Sequence, residues 1–345
     1  MPLNVKPSLA VSPSCLPDDP ALRHAVLRDY FCDKDATAVR TGSGWQLSLY
    51  WPGGEDRHVD GRLQEGLAWW GNGVSPHTMI TATRRSGRIL EALFDTWTLH
   101  SWSRWAKHRQ ETTSPIILHV DDHRDLGCPR LFLQGHAFYD AMTGDECDIY
   151  RPESVYASIL SGAVGMGSFM TPFLHRFPDS EIRHLCQYPK ASAAADFSFS
   201  ISTEPDTLLN PGVARPSVEL SPLTGELARP GPGPGRLRVT PDLDDWLQGL
   251  ERADSRSMLL HIDMDYFNNR YDGDSDWEQR NPRLDPDCSQ VLERIDEFCG
   301  AITQADIGSR IEDVVVAYSP GFFPAELWEP ASEKLRSGLA RIVKA

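Results

Sequence analysis

Short runs of apolar residues, separated by polar and Gly- or Pro-rich segments, predict a chain of alternating strands and helices. Two runs, Ile116–Val120 and Met258–Ile262, are apolar at almost every position, as expected for strands covered on both faces of a parallel sheet. The segments 130–134, 197–201 and 314–317 predict three further strands. The fold class predicted is therefore α/β, with a mostly parallel central sheet.

Helices are predicted over five segments: residues 19–33, 86–98, 152–162, 243–252 and 288–304. The first of these begins with Asp19 as a capping residue and Pro20 in the first turn. Residues 45–50 alternate between apolar and polar and precede a Pro-Gly-Gly turn, which predicts a β-hairpin with residues 57–59.

Both buried runs end in Asp and His. The first is followed by Asp121, His123 and Asp125, and the second by Asp263 and Asp265. Residues two apart on an extended chain project to the same side, so each segment presents its ligand-type side chains together. A carboxylate is costly to bury unless it is paired or binds a metal, and open α/β sheets bind ligands at the carboxyl ends of their strands. A metal site at this edge is predicted.

The donor set is richer in carboxylates than one zinc ion needs. Catalytic zinc usually takes three protein ligands and favours His or Cys, whereas oxygen ligands suit Mn or Mg. We therefore predict two metal ions, with Asp121 and Asp263 as bridges. A lone Asp after a strand more often caps a helix or a turn, and the joint occurrence of both segments favours the metal site. His119 and His261, inside the two strands, are predicted to be hydrogen-bonded core residues.

The two segments resemble the arginase/deacetylase superfamily, whose Mn-dependent ureohydrolases carry D-x-H-x-D and a later D-x-D. The resemblance implies a three-layer arginase-like fold and two Mn²⁺ ions. It implies six metal ligands: His100, Asp121, His123, Asp125, Asp263 and Asp265. The family's upstream His lies at the start of a helix. His100 is chosen because it precedes a helix-like stretch that runs through about Gln110. His108, late in that stretch, is the alternative.

The chain differs from the small-molecule arginases at two places. Asp122 stands where the family has a small residue, and the second motif continues Tyr266-Phe267-Asn268-Asn269 rather than Gly-x-Asp-Pro. The segments look more like a divergent branch that includes the peptide arginases, which convert arginine to ornithine within ribosomally made peptides. The implied substrate is an arginine-containing precursor peptide, and the implied second product is urea.

The proposed reaction also assigns roles to two of the metal ligands and to three further residues. Asp125 or Asp265 would accept a proton, and His136 would supply one to the departing amine. Glu326, beyond the last strand, is the candidate that holds the guanidinium group by charge-assisted hydrogen bonds. Ser168, in a Gly-rich segment, is a candidate for the pocket lining.

Three alternatives stay open at this point. The chain could be a small-molecule ureohydrolase, or a deacetylase of the same fold that needs only one zinc. It could also be a noncatalytic binding protein with a metal-stabilised fold. Metal stoichiometry and turnover distinguish these possibilities.

The length of 345 residues allows one large α/β domain, and we expect residues 1–345 to form a single one. Residues 1–20 are proline-containing and predicted to be an irregular tail. Residues 203–240 end in a repeated Pro-Gly sequence and are predicted to be an irregular insertion or lid. They are no domain boundary, because the metal segments on either side must meet.

Charge and cysteine content narrow the class of protein. The formal net charge is −15, with 49 acidic and 34 basic residues, which disfavours nonspecific nucleic-acid binding and could attract a cationic substrate. Seven cysteines without a C-x-x-C pair argue against a disulfide scaffold. No apolar run has membrane-spanning length and the N-terminus lacks signal-peptide features, so a cytoplasmic protein is expected. Oligomeric state is left open.

Overall fold

The computed structural model describes residues 8–53, 58–107, 109, 114–223, 233–250, 256–274 and 276–343. The helices of this part of the chain are α1 Pro20–Phe31, α2 Leu63–Trp70, α3 Trp97–Ala106, α4 Pro152–Ser161, α5 Met170–Leu174, α6 Leu243–Leu247, α7 Cys288–Gln304 and α8 Trp328–Ile342. Its strands are β1 Ser8–Val11, β2 Asp35–Thr41, β3 Gly44–Tyr50, β4 Thr83–Ser86, β5 Ile89–Ala92, β6 Ile116–Val120, β7 Leu131–Gln134, β8 Ala137–Asp140, β9 Glu146–Cys147, β10 Glu181–Leu185, β11 Ala195–Pro205, β12 Ala214–Pro222, β13 Arg236–Thr240, β14 Met258–Asp263 and β15 Ile311–Ala317.

A nine-stranded sheet forms the centre, in the order β12-β11-β13-β10-β6-β14-β15-β5-β4. The six strands from β13 to β5 are parallel, whereas β11 and the edge strands β4 and β12 are antiparallel to their neighbours. The prediction of an α/β protein with a mostly parallel central sheet is confirmed. The arginase-like arrangement of its layers stays a prediction.

The central strands are buried on both faces. Every residue of β6, β10 and β14 is buried, as expected of parallel strands that are covered on both sides. Helix α3 packs on β15 and on α4, while α7 packs along α8. Within the described residues, no helix combines the length and the apolar character that a bilayer span requires.

The N-terminal region differs from its prediction. Residues 8–11, expected in an irregular tail, form β1, which pairs with β3 and buries Val11 in a second, smaller core. The hairpin partner of β3 is β2, not residues 57–59, of which residue 57 lies outside the described part. The local turn signal after Tyr50 was outweighed by the packing of β1, β2 and β3 around that core.

The prediction that residues 86–98 are helical, or partly so, holds only for the last two residues of the segment. Strands β4 and β5 form an antiparallel hairpin there, and α3 begins only at Trp97. Gly87 takes a left-handed φ of 58° in the turn, which glycine adopts without steric cost. The apolar residues of β5 are buried because this strand pairs with β15 in the sheet.

The stretch 203–240 contains more regular structure than predicted. Its first part completes β11 and forms β12, and its last part forms β13 inside the central sheet. Residues 224–232, which hold half of the Pro-Gly repeat, lie outside the described residues. Proline is tolerated in β12 because an edge strand needs no partner for its outward N–H groups.

We expect Gly338→Ala to destabilise the protein by about 1–3 kcal/mol, because overpacking a close contact strains it. A Cβ at Gly338 in α8 would lie 2.3 Å from Sγ of Cys299 in α7. Gly300→Ala is the matched control, since no heavy atom lies within 4 Å of its added Cβ. The control should be neutral or stabilise by up to about 1 kcal/mol through helix propensity. Denaturant unfolding measures both, and equal stability of the two variants would contradict this packing.

Candidate metal centre

Strands β6 and β14 bring the two Asp segments to one place. They are adjacent and parallel, and Val120 is in register with Ile262, so Asp121 and Asp263 follow at the same level of the sheet edge. Asp121, Asp263 and Asp265 are 1%, 4% and 1% exposed. Backbone and side chains together therefore place buried carboxylates at the carboxyl ends of two central strands.

His123 faces these carboxylates through one ring nitrogen. Its Nδ1 lies 2.9 Å from Oδ2 of Asp265 and 3.5 Å from Oδ1 of Asp121. The three residues offer ligand atoms that all lie within 4.8 Å of one another, a spacing that a single metal ion can bridge. The structure thus brings three of the predicted ligands together.

Asp125 completes the first segment in an unusual backbone conformation. Its φ of 53° is left-handed, which costs a non-glycine residue about 1 kcal/mol or more and often marks a functional site. Asp125 is buried, and Asp121, Asp125, His119 and His261 form another group with metal-compatible spacing. Its carboxylate therefore belongs to the same buried cluster.

Asp95 is a member of the cluster that the sequence analysis missed. It lies between β5 and α3, is 2% exposed, and accepts a hydrogen bond of 2.7 Å from the backbone N–H of Gly167. Burial first, and then the nearby charges of Asp125 and Asp263, raise the pKa of Asp95 well above its ordinary range. The signal was the apolar run before it, which the helix prediction over 86–98 concealed.

His100, the predicted upstream ligand, lies elsewhere. It is on α3, with its ring centroid 5.3 Å from that of Trp97 and 6.1 Å from that of Tyr156. Burial, and then the charge of Arg104, lower the pKa of His100 to about 4. Among the described residues it belongs to none of the groups with metal-compatible spacing. The alternative, His108, lies outside the described residues.

Three further predicted residues are engaged in other contacts or line another cleft. His136 is exposed in the β7–β8 turn and lines a different cleft. Glu326 accepts a hydrogen bond of 2.6 Å from Arg270, so an internal guanidinium already uses its carboxylate. Ser168 is buried and binds the backbone N–H and C=O of Gly165, which stabilises the turn rather than the cleft wall.

A cleft of about 510 Å³ opens over the cluster. Four acidic residues of the cluster, Asp95, Asp125, Asp263 and Asp265, are among its lining. The rest of its lining comprises His123, Arg124, Leu126, Gly127, Met166, Gly167, Val218, Leu220, Ser319 and Phe322. The acidic cluster is therefore reachable from solvent through a cleft of small-molecule or side-chain size.

Three buried carboxylate oxygens of the cluster have no hydrogen-bond partner: Oδ1 of Asp95, Oδ2 of Asp121 and Oδ2 of Asp125. An unsatisfied buried polar atom is costly, and a cation satisfies such oxygens directly. Oxygen-rich donor sets with few imidazoles suit hard divalent ions such as Mn²⁺. The residues present therefore fit bound metal ions.

Burial and mutual repulsion dominate the electrostatics of the cluster. Burial, followed by neighbouring carboxylates, raises the pKa of Asp121 and of Asp263 well above the usual range. Burial raises the pKa of Asp125 to about 6. For Asp265, burial acts in the same direction, but the adjacent His123 outweighs it and lowers the pKa. Ser319 donates a hydrogen bond to Oδ2 of Asp263 and so fixes its orientation.

A row of three histidines lies beneath the cluster. His184, His119 and His261 are in register on the adjacent strands β10, β6 and β14. Nε2 of His184 lies 2.9 Å from the carbonyl oxygen of Asp121, and Nε2 of His119 lies 2.9 Å from that of His123. Because a carbonyl only accepts, both Nε2 atoms carry the proton.

The tautomer of the third histidine follows from the same row. Nδ1 of His119 lies 3.0 Å from Nδ1 of His261. Because the proton of the neutral His119 ring is on Nε2, its Nδ1 accepts this hydrogen bond and Nδ1–H of His261 donates it. Burial lowers the pKa of His184 to about 4 and that of His261 to about 3, which keeps both rings neutral. The prediction that His119 and His261 are hydrogen-bonded core residues is confirmed, whereas His184 was missed.

No protein-family model matches the sequence, and no curated protein matches it significantly. The class that the fold and the site define is an α/β protein with a nine-stranded, mostly parallel sheet and a buried His/Asp cluster suited to metal ions.

We expect Asp95→Asn to weaken Mn²⁺ binding by more than about tenfold, since even residues one step removed from a metal commonly contribute that much. His100→Ala should leave the affinity unchanged, because its ring contacts lie with Trp97 and Tyr156. Calorimetric titration of both variants with Mn²⁺ measures the difference. Loss of Mn²⁺ affinity in His100→Ala, with normal affinity in Asp95→Asn, would instead support His100 as a metal ligand.

The metal-free protein should become less stable as the pH rises. The pKa of Asp125 goes from an ordinary 3.8 to about 6 in the folded state, so the native state binds more protons between these values. Its stabilising contribution is complete below 3.8 and is lost as the pH rises through about 6. The pKa of Asp265 is lowered in the folded state, so this residue makes stability rise with pH, but only at pH values below 3.8.

Thermal unfolding with a chelator and with Mn²⁺, at about pH 5 and about pH 7.5, measures this dependence. Metal stabilisation should be larger at the higher pH, because the cation replaces protons on the carboxylates. A Mn²⁺ effect that is equal at both values would contradict binding at this cluster.

Proposed function

We propose that this chain is a hydrolase with two metal ions that converts arginine residues of a precursor peptide to ornithine and releases urea. The observation that carries the proposal is the buried carboxylate cluster, with three unpartnered oxygens and one imidazole, at the base of an open cleft. The motifs Asp121-x-His123-x-Asp125 and Asp263-x-Asp265, which resemble those of the Mn-dependent ureohydrolases, supply the reaction class.

The electrostatic couplings within the cluster favour two cations over one. Asp121 interacts with Asp125, Asp263 and Asp265, while Asp263 interacts with both Asp125 and Asp265. Among the described residues, Asp121 belongs to two groups with metal-compatible spacing and Asp263 to none, so a bridging role for Asp263 rests on its place in the cleft lining beside Asp125 and Asp265. His123, Asp265, Asp95 and Asp125 would hold the ions together with these two residues. A one-zinc deacetylase would leave several of these buried carboxylates without a counter-charge.

When bound, the ions supply Lewis acidity, which makes water an effective nucleophile near neutral pH. Addition of water to the guanidinium carbon and cleavage of its bond to the side-chain nitrogen leave urea and the ornithine amine. We assign proton acceptance to Asp125, which lines the cleft, and the accepted proton then passes to the departing side-chain nitrogen. Val218 and Leu220 of β12 shield one side of the cleft from water.

The cleft suits a cationic side chain presented by a larger molecule. Its acidic base attracts a guanidinium group electrostatically, and its mouth is open at the protein surface. His136 and Glu326 are not assigned roles, since the first lies in another cleft and the second is bound to Arg270. A peptide substrate in the cytoplasm stays part of the proposal, on the basis of the resemblance to the peptide arginases.

Mass spectrometry of arginine-containing peptides, with free arginine and acetyl-lysine peptides alongside, tests the proposal on the Mn-loaded protein. Loss of one CH2N2 unit from peptide arginine, without conversion of free arginine, is the expected result. Conversion of free arginine would favour a small-molecule ureohydrolase, and release of acetate would favour a deacetylase. Metal binding without any conversion would contradict the enzymatic proposal and favour a binding protein.

Replacement of Asp263 by Asn should reduce peptide turnover by more than about hundredfold, because a central metal ligand contributes at least as much as its supporting residues. The control is Asp306→Asn, since Asp306 is exposed and its left-handed φ of 51° is one that Asn tolerates. Circular dichroism verifies folding of both variants. Near-normal turnover in Asp263→Asn would refute the bridging role.

A further inference from the structure

The two places where the chain departs from the small-molecule arginases meet in the structure. Nδ2 of Asn269 donates hydrogen bonds to Oδ2 of Asp122 at 2.7 Å and to Oδ1 of Asp272 at 3.1 Å. Asp122 is 3% exposed, and its backbone N–H donates to Oδ1 of Asp265. The departures thus form a polar network directly beside the carboxylate cluster.

Two cations contact this network: Lys190, and Arg280, whose guanidinium pairs with Oδ2 of Asp272. Nζ of Lys190 lies 2.7 Å from Oδ1 of Asp272 and 3.1 Å from Oδ2 of Asp122. Asp122, His123 and Asp272 have metal-compatible spacing, but an ammonium group already lies among them. This group is therefore no additional metal site, and its negative charge is balanced by the protein itself.

His123 connects this network to the metal cluster. Nδ1 faces Asp265, while Nε2 lies 3.0 Å from Oδ1 of Asp272 and 2.6 Å from Nζ of Lys190. A neutral imidazole that binds a metal through Nδ1 carries its proton on Nε2. A carboxylate can accept that proton, whereas an ammonium group can only donate. Asp272 and Lys190 therefore favour opposite tautomers of His123.

We infer that Asp272 is a positioning residue that holds His123 in the tautomer and orientation in which Nδ1 can bind a metal. The inference rests on the metal centre of the proposed function. Carboxylates commonly accept the second N–H of a metal-binding histidine, and this orients the ring and increases its basicity. Asn269 orients Asp272 in turn, because Oδ1 of Asn269 accepts a hydrogen bond from the backbone N–H of Asp272.

The test compares Asp272→Asn with Asp274→Asn, because Arg280 pairs with both carboxylates but only that of Asp272 contacts His123. We expect Asp272→Asn to weaken Mn²⁺ binding by about 10- to 100-fold and the control to bind normally. Asp272→Glu, which keeps a charged acceptor, should recover part of the affinity. Unchanged binding in Asp272→Asn would overturn the inference.

A spectroscopic readout separates positioning from loss of packing. With Zn²⁺ as a diamagnetic probe, the Nε2–H proton of His123 should resonate far downfield in the unaltered protein and shift upfield in Asp272→Asn. Lys190→Met should tighten Mn²⁺ binding, because it removes a positive charge and the group that favours the other tautomer. Equal weakening in Lys190→Met and Asp272→Asn would overturn the inference.

These readouts do not depend on turnover. Tight metal binding that requires Asp272, in a protein that converts no arginine, would leave the positioning role intact and refute the proposed reaction. Arginine conversion that persists in Asp272→Asn with unchanged Mn²⁺ affinity would refute the positioning role and leave the proposed reaction intact.

Discussion

The concentration of negative charge at the carboxyl ends of β6 and β14 is the constraint on which this site depends. Asp95, Asp121, Asp125, Asp263 and Asp265 are all buried, and the charges of Asp95 and Asp263 act on those of their carboxylate neighbours. Ionised carboxylates in such surroundings repel one another and lose hydration, so the metal-free cluster retains protons instead. A fold that keeps this arrangement without cations carries a strain that divalent ions relieve.

The fold supports the cluster from below through neutral hydrogen-bond donors. His184 and His119 bind the carbonyl groups of Asp121 and His123, so the backbone of the first segment is fixed by the sheet itself. Burial lowers the pKa of both rings, and they add no charge to the cluster. Side-chain supports such as Ser319 act separately, on the carboxylate of Asp263.

What the sequence could predict was local. Asp121, His123, Asp125, Asp263 and Asp265 follow apolar runs directly, so a strand and its terminal ligands could be inferred together. Asp95 could not be found this way, because the assignment of β5 as a strand depends on pairing with β15, more than two hundred residues away. His184 and Lys190 likewise reach the site only through the register of β10 with β6.

Asp95 and Lys190 together explain how this site differs in charge from the pattern it resembles. The buried carboxylate of Asp95 lines the cleft, whereas His100 does not, which makes the cluster more negative and its donors harder. Lys190 balances the added acids Asp122 and Asp272 on the outer side, where no further metal is needed. The inner carboxylates supply oxygen ligands, which suit hard divalent ions better than ions that prefer nitrogen or sulfur ligands.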